Sequence, residues 1–140
     1  MDHFARLKVK RRRRGDAIVE FAILAPILVL ILFGVLEMGR VVDAWLVVHN
    51  AAREGARAGV LVDPDPAAQT AAQNAANAYL TSGLGVRGDI ASASVPSVVV
   101  TPDNVQVTTR ADVELYTPLF QAMLHGSTVH VQATANMRRQ

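Results

Sequence analysis

From Phe21 to Leu36 the chain runs for 16 residues without a charge. Counting back over Glu20 gives 20 residues, Ala17–Leu36, which as a helix would be about 30 Å long, one hydrocarbon thickness. Beyond Leu36 the helical signal continues in another form. Val41, Trp45, Val48, Ala52 and Ala56 recur at spacings of four, three, four and four, while Arg40, Asp43, Asn50, Arg53, Glu54 and Arg57 fall mainly off that stripe. No proline interrupts the chain between Pro26 and Pro64. The pattern predicts one helix from about Ala17 to about Gly59. Such a helix is about 65 Å long, so its second half projects beyond a bilayer and its stripe needs a partner surface.

Asp63-Pro64-Asp65-Pro66 ends this helix and opens the next. Proline cannot continue a helix but suits a first turn, with aspartate as N-cap. Ala67–Leu80 is alanine-rich, and Ala68, Ala72, Ala75 and Tyr79 draw a second stripe, stopped by Thr81-Ser82-Gly83 and Gly85. The remainder reads as sheet. Ser94–Thr101 carries a valine run. Val105, Val107, Thr109, Ala111, Val113 and Leu115 alternate with polar neighbours, as do Val129, Val131, Ala133, Ala135 and Met137. Pro118–Leu124 reads as a short helix or turn closed by Gly126. The expected fold class is α+β: a long N-terminal transmembrane helix continuing into an exported helix pair, packed on a three-stranded antiparallel sheet. The expected domains are a basic cytoplasmic leader over residues 1–15, a transmembrane helix over 16–37 and an extracytoplasmic α+β domain over 38–140.

Charge sharpens this picture. Residues 1–15 hold seven Lys/Arg and one acid, a net of +6, whereas the rest holds seven Lys/Arg and 11 acids, a net of −4. A basic head suggests nucleic acid or membrane. Because Arg11, Arg12, Arg13 and Arg14 directly precede an apolar helix, and no aromatic-rich basic surface accompanies them, they read as a topology signal that keeps the N-terminus in the cytoplasm. No nucleic-acid partner is expected. Leu36-Glu37-Met38-Gly39-Arg40 lacks the small-residue site that follows a cleaved signal peptide, so the span stays uncut on its outer side. Cysteine is absent, which excludes disulfides and cysteine metal sites. His3, His49, His125 and His130 are scattered over different elements and show no zinc spacing.

One string carries chemistry: Arg12-Arg13-Arg14-Gly15-Asp16-Ala17-Ile18-Val19-Glu20-Phe21, followed at once by the apolar run. An ionised carboxylate within hydrocarbon costs about 2.5 kcal/mol or more and calls for a partner. Cleavage after Gly15 would supply one, the α-amine of Asp16, about 6 Å from Glu20 along a helix. The same charge from a neighbouring subunit would also serve. Glycine at the cut position lets a peptidase approach the backbone closely. The bland alternative is that Glu20 snorkels to the headgroups.

The string resembles a type IV prepilin cleavage site, and most closely the TadE-like family of minor pseudopilin-like proteins in Tad (Flp) pilus systems. The resemblance extends through Pro26, Glu37-Met38-Gly39-Arg40 and Val48-His49-Asn50-Ala51-Ala52-Arg53-Glu54-Gly55-Ala56-Arg57-Ala58-Gly59-Val60. It covers roughly residues 11–60. Phe21 departs from the tyrosine typical of the major Flp pilins, which are also much shorter, so a role as the bulk pilin is not expected. The resemblance implies processing at Gly15, Asp16 and Glu20 by a membrane aspartyl prepilin peptidase. It also implies a place in pilus assembly, with other Tad components and pilin-like helices as partners.

Other features admit structural readings. Pro26 removes the hydrogen bond to the Ala22 carbonyl, which serves as a hinge or as a tolerated kink. Gly55 and Gly59 stand at the G-x-x-x-G spacing, with Arg57 between them arguing for packing on the second helix rather than in lipid. Trp45 is either an interfacial anchor or a buried residue of the outer domain. Arg53, Glu54 and Arg57 form a solvated helix face and are the candidate partner-contact residues. No catalytic constellation, nucleotide fingerprint or cofactor motif can be assembled, so neither enzymatic activity nor a cofactor is expected. The rival reading is an uncleaved, membrane-tethered binding module of the cell envelope.

Overall fold

The computed structural model describes residues 14–63 and 65–139. Two helices, three strands and a short third helix follow in order: α1 (Arg14–Val60), α2 (Asp65–Leu84), β1 (Ile90–Val100), β2 (Asn104–Glu114), α3 (Pro118–Leu124) and β3 (Thr128–Arg138). The chain divides into two units, Met1–Val35 and Leu36–Gln140. In the first, the described residues are helix alone. Apolar side chains from Ile18 to Val35 stand exposed on its sides, and the helix is long and apolar enough to cross a membrane. The helix passes through Pro26 without a break in assignment.

In the second unit, the outer part of α1 pairs with α2 against one face of an antiparallel sheet of order β1-β2-β3. The alternation read from Val105 to Leu115 is the buried face of the central strand. Thr109 is the polar exception in that row, and its hydroxyl donates to the Val48 carbonyl at 2.7 Å, so that the helix backbone satisfies it. β2 and β3 pair without a bulge from Asn104↔Arg138 to Glu114↔Thr128. β1 begins at Ile90, earlier than the expected Ser94, and its register slips between Ser94 and Ser97, where Pro96 cannot donate to the ladder.

The helix faces match the expected stripes in part, with Val48, Ala52, Ala56, Ala68 and Ala72 buried. On α1 the buried positions are Ala44, Val48, Ala51, Ala52 and Ala56, and Trp45 is 46% exposed, its ring stacked on His49. Small residues hold this interface because the helices approach closely. A Cβ on Gly55 would come within 2.8 Å of the Ala72 carbonyl and 2.9 Å of the Ala76 Cβ, and one on Gly59 within 3.0 Å of the Ala72 Cβ. The G-x-x-x-G pair therefore seats α1 on α2. On α2 the buried row is Ala68, Ala72, Ala76, Leu80 and Leu84, while Ala75 is half-buried and Tyr79 exposed. The helix runs past Thr81-Ser82-Gly83 to Leu84. Burying that leucine is worth about 1.5–3 kcal/mol, more than the roughly 1 kcal/mol that a glycine costs in a helix. Asp63 and Asp65 bind Arg139 at 2.5 and 2.6 Å, so their carboxylates tie the helical turn to the end of β3.

Candidate functional site

Gly15, Asp16 and Glu20 lie on the first two turns of α1, with Asp16 and Glu20 exposed. A Cβ on Gly15 would meet nothing within 4 Å, so packing among the described residues does not require glycine there. Among the described residues no cation pairs with Glu20. Arg11, Arg12 and Arg13 lie outside the described residues, and of Arg14 only the backbone is described, as the first residue of α1.

Arg53, Glu54 and Arg57 stand together on the outer face of α1. Arg57 grips Glu54 through Nε at 3.0 Å and through its terminal nitrogen at 2.6 Å. That fork holds the Glu54 carboxyl below its ordinary range and raises the Arg57 guanidinium. The three line a shallow cleft with Asn50, Tyr79 and Met137.

The densest polar cluster centres on Glu37 and Arg40, one turn apart and just beyond the charge-free run. Glu37 is buried. Its carboxylate accepts the Tyr116 backbone N–H at 2.8 Å, the Thr117 hydroxyl at 3.5 Å and the Arg40 guanidinium at 3.3 Å. Arg40 in turn donates to Asp89 at 3.0 Å and to the Glu114 carbonyl at 3.0 Å, and its guanidinium lies 4.1 Å above the Tyr116 ring. Arg87 closes the cluster. It binds Asp89 in a fork at 3.0 and 2.7 Å and also pairs with Asp43. Tyr116 donates its hydroxyl to the Gly88 carbonyl at 3.0 Å.

Asp89 is held at about 2, first by the Arg87 fork and then by Arg40, against the opposing effect of burial. The cluster joins α1, the α2–β1 loop and the β2–α3 junction at one end of the unit. Every carboxylate in it is paired, and among the described residues no group of three metal-ligating side chains occurs. Sequence reasoning singled out Glu37 and Arg40 by resemblance but missed Asp43, Arg87, Asp89 and Tyr116. The one available signal was a charged Arg87-Gly88-Asp89 loop next to two glycine-marked breaks.

Residues 15–57 match the family model TadE, described as TadE-like protein. Over these residues the first helix is similar to that family. The match begins at Gly15 and takes in Glu20, the Glu37–Arg40 step and the Arg53–Arg57 face, all on α1. The partners that α1 engages in the Glu37–Arg40 cluster, from Arg87 to Thr117, lie outside the match. No curated protein and no solved structure matches the chain.

Proposed function

We propose that the chain is a TadE-like pseudopilin acting in Tad (Flp) pilus assembly, with a structural rather than an enzymatic role. Residues 1–15 form a cytoplasmic leader, 16–37 span the cytoplasmic membrane once, and 38–140 lie outside it. A prepilin peptidase cuts between Gly15 and Asp16, and the mature helix packs beside other pilin-like helices with Glu20 facing an α-amine. The observation that carries this reading is a coincidence at one position. The TadE-like match starts at Gly15, the glycine that closes the basic leader, five residues before a lone glutamate at the head of an exposed apolar helix. The absence, among the described residues, of any packing reason for glycine at that position supports a requirement imposed from outside the chain.

Mass spectrometry of C-terminally tagged protein, expressed with and without a prepilin peptidase, tests the proposal. A mature N-terminus at Asp16 that appears only with the peptidase, and is abolished by Gly15→Arg, is the expected result. An intact N-terminus under both conditions refutes processing and leaves a permanently tethered envelope module.

A further inference from the structure

We infer that α3 is a lipid-contact element, resting on the outer surface of the bilayer that holds the apolar span. The inference builds on the membrane-anchor reading of α1. From Leu115 through Thr128 there is no Asp, Glu, Lys or Arg, although this segment connects two strands at the surface. None of the residues of α3 is buried. Leu119 is 50%, Met123 64% and Leu124 55% exposed, three large apolar side chains within seven residues. A solvent-facing connection ordinarily carries charge, and an exposed apolar cluster of this kind marks a contact surface.

The position of the helix identifies the contact. Glu37 directly follows the charge-free run in sequence, and its carboxylate takes the Tyr116 N–H at 2.8 Å and the Thr117 hydroxyl at 3.5 Å. The first turn of α3 is thus fastened to the residue that directly follows the apolar run in sequence. The polar side chain of α3 turns inward, since Gln121 donates to the Leu115 carbonyl, which leaves leucine and methionine outward. Tyr116, bound through its N–H to the same carboxylate, has its hydroxyl engaged and one ring face under Arg40, with the rest of the ring exposed, and tyrosine is a residue suited to headgroups. The opposite end of the 11-residue strands presents Pro102 and Asp103 instead. An uncharged amphipathic turn fastened to the residue that follows a span in sequence is suited to the interface plane, with its apolar side chains among the acyl ends. A second copy of the chain or another protein would have to displace that lipid.

Because the natural chain has no cysteine, single labels test this directly. Full-length Met123→Cys, Asp103→Cys and Leu28→Cys are labelled with an environment-sensitive dye and reconstituted into vesicles of phosphatidylethanolamine and phosphatidylglycerol containing spin-labelled lipid. Leu119→Cys replaces Met123→Cys should the latter fail to reconstitute. The label at 123 is expected to shift to the blue and to be quenched several-fold more than the label at 103. Quenching at 123 equal to that at 103 overturns the inference. A blue shift without lipid quenching also overturns it, because a protein surface then covers α3. Strong quenching at 28 in either case leaves the anchor intact and isolates the failure to α3, whereas no quenching at 28 removes the anchor reading as well.

Discussion

Asp89 shows how one short side chain can organise a joint. Its side chain is 9% exposed and receives two guanidinium groups, from Arg40 on α1 and Arg87 on its own loop. Neither arginine can lose its charge, so removing the carboxylate leaves two cations without their shared anion. Asp89→Asn is expected to cost about 2 kcal/mol, less than a fully buried pair because both arginines keep partial contact with water. Thermal unfolding of the full-length protein in detergent, followed by circular dichroism, measures it. His125 makes the opposite case. It caps α3 in the left-handed region at φ 54°, a conformation that costs a non-glycine residue about 1 kcal/mol. The expectation from sequence had placed the stop at Gly126, one residue later. His125→Gly is expected to stabilise the protein by about 0.5–1 kcal/mol in the same measurement, since no described hydrogen bond uses the imidazole.

At the scale of elements, α1 carries glycines with opposite requirements. Gly55 is enclosed, with the Ala72 carbonyl, the Ala76 Cβ and the Val107 side chain all within 3.2 Å of where a Cβ would sit. Backbone cannot yield cheaply there, so Gly55→Ala is expected to cost about 1–3 kcal/mol by forcing α1 away from α2. Gly39 is exposed in the same helix and a Cβ on it would meet nothing within 4 Å. Gly39→Ala is expected to raise stability by about 0.5–1 kcal/mol, because alanine restricts the unfolded chain and favours helix. The pair of variants, unfolded side by side, distinguishes a glycine that the fold requires from one that the fold merely accepts. The same contrast explains what the sequence could reveal about these elements. The alternation from Val105 to Leu115 was legible because a strand with one buried face repeats every two residues whatever lies opposite it. The helix faces were legible only in part: Val48, Ala52, Ala56, Ala68 and Ala72 are buried as expected, whereas Trp45 and Tyr79 have the size and apolar character of core residues yet stand exposed, and the close approach at Gly55 is made by Ala72 and Ala76. The Glu37–Arg40 joint could not be read at all beyond the resemblance. Its partners sit up to 80 residues away, and no local pattern records which loop a strand order returns to a given helix turn.

For the whole outer unit, two arginine-centred joints lie at opposite ends of the sheet and answer differently to solution conditions. At one end Arg139 ties Asp63 and Asp65 to the end of β3 and also donates to the Val62 carbonyl at 2.8 Å. The side chains of those two aspartates are 86% and 56% exposed, so water and ions reach their carboxylates freely, while the Arg139 side chain is 10% exposed. At the other end Asp89 is nearly enclosed. On the central strand, near that same end, Asp112 is held at about 2 by His130 first, then by the Ser92 hydroxyl and Arg110. The His130 Nδ1 lies 2.6 Å from Asp112 and 2.9 Å from Arg110, and a single ring nitrogen can serve only one of them at a time.

Both Asp89 and Asp112 have folded values below the ordinary 3.8. A depressed carboxyl contributes stability that is fully present above the unfolded value and is lost as pH falls through the folded one. Stability is therefore expected to be flat from neutral pH to about 5 and to decline between about 4 and 2, with Asp89 alone accounting for about 2 kcal/mol of the loss. Asp89→Asn should flatten that acid limb, whereas Arg139→Ala should leave its shape unchanged. Salt separates the two joints in the opposite sense. At 1 M the screening length falls to about 3 Å, which weakens exposed pairs far more than enclosed ones. The cost of Arg139→Ala should then shrink towards the part due to its backbone-carbonyl contact, while the cost of Asp89→Asn stays near its low-salt value. Equal salt sensitivity in the two variants would mean that water enters the Glu37–Arg40 joint as freely as it reaches Asp63, and the joint would then not hold α1 against the sheet at the point where the chain leaves its apolar segment.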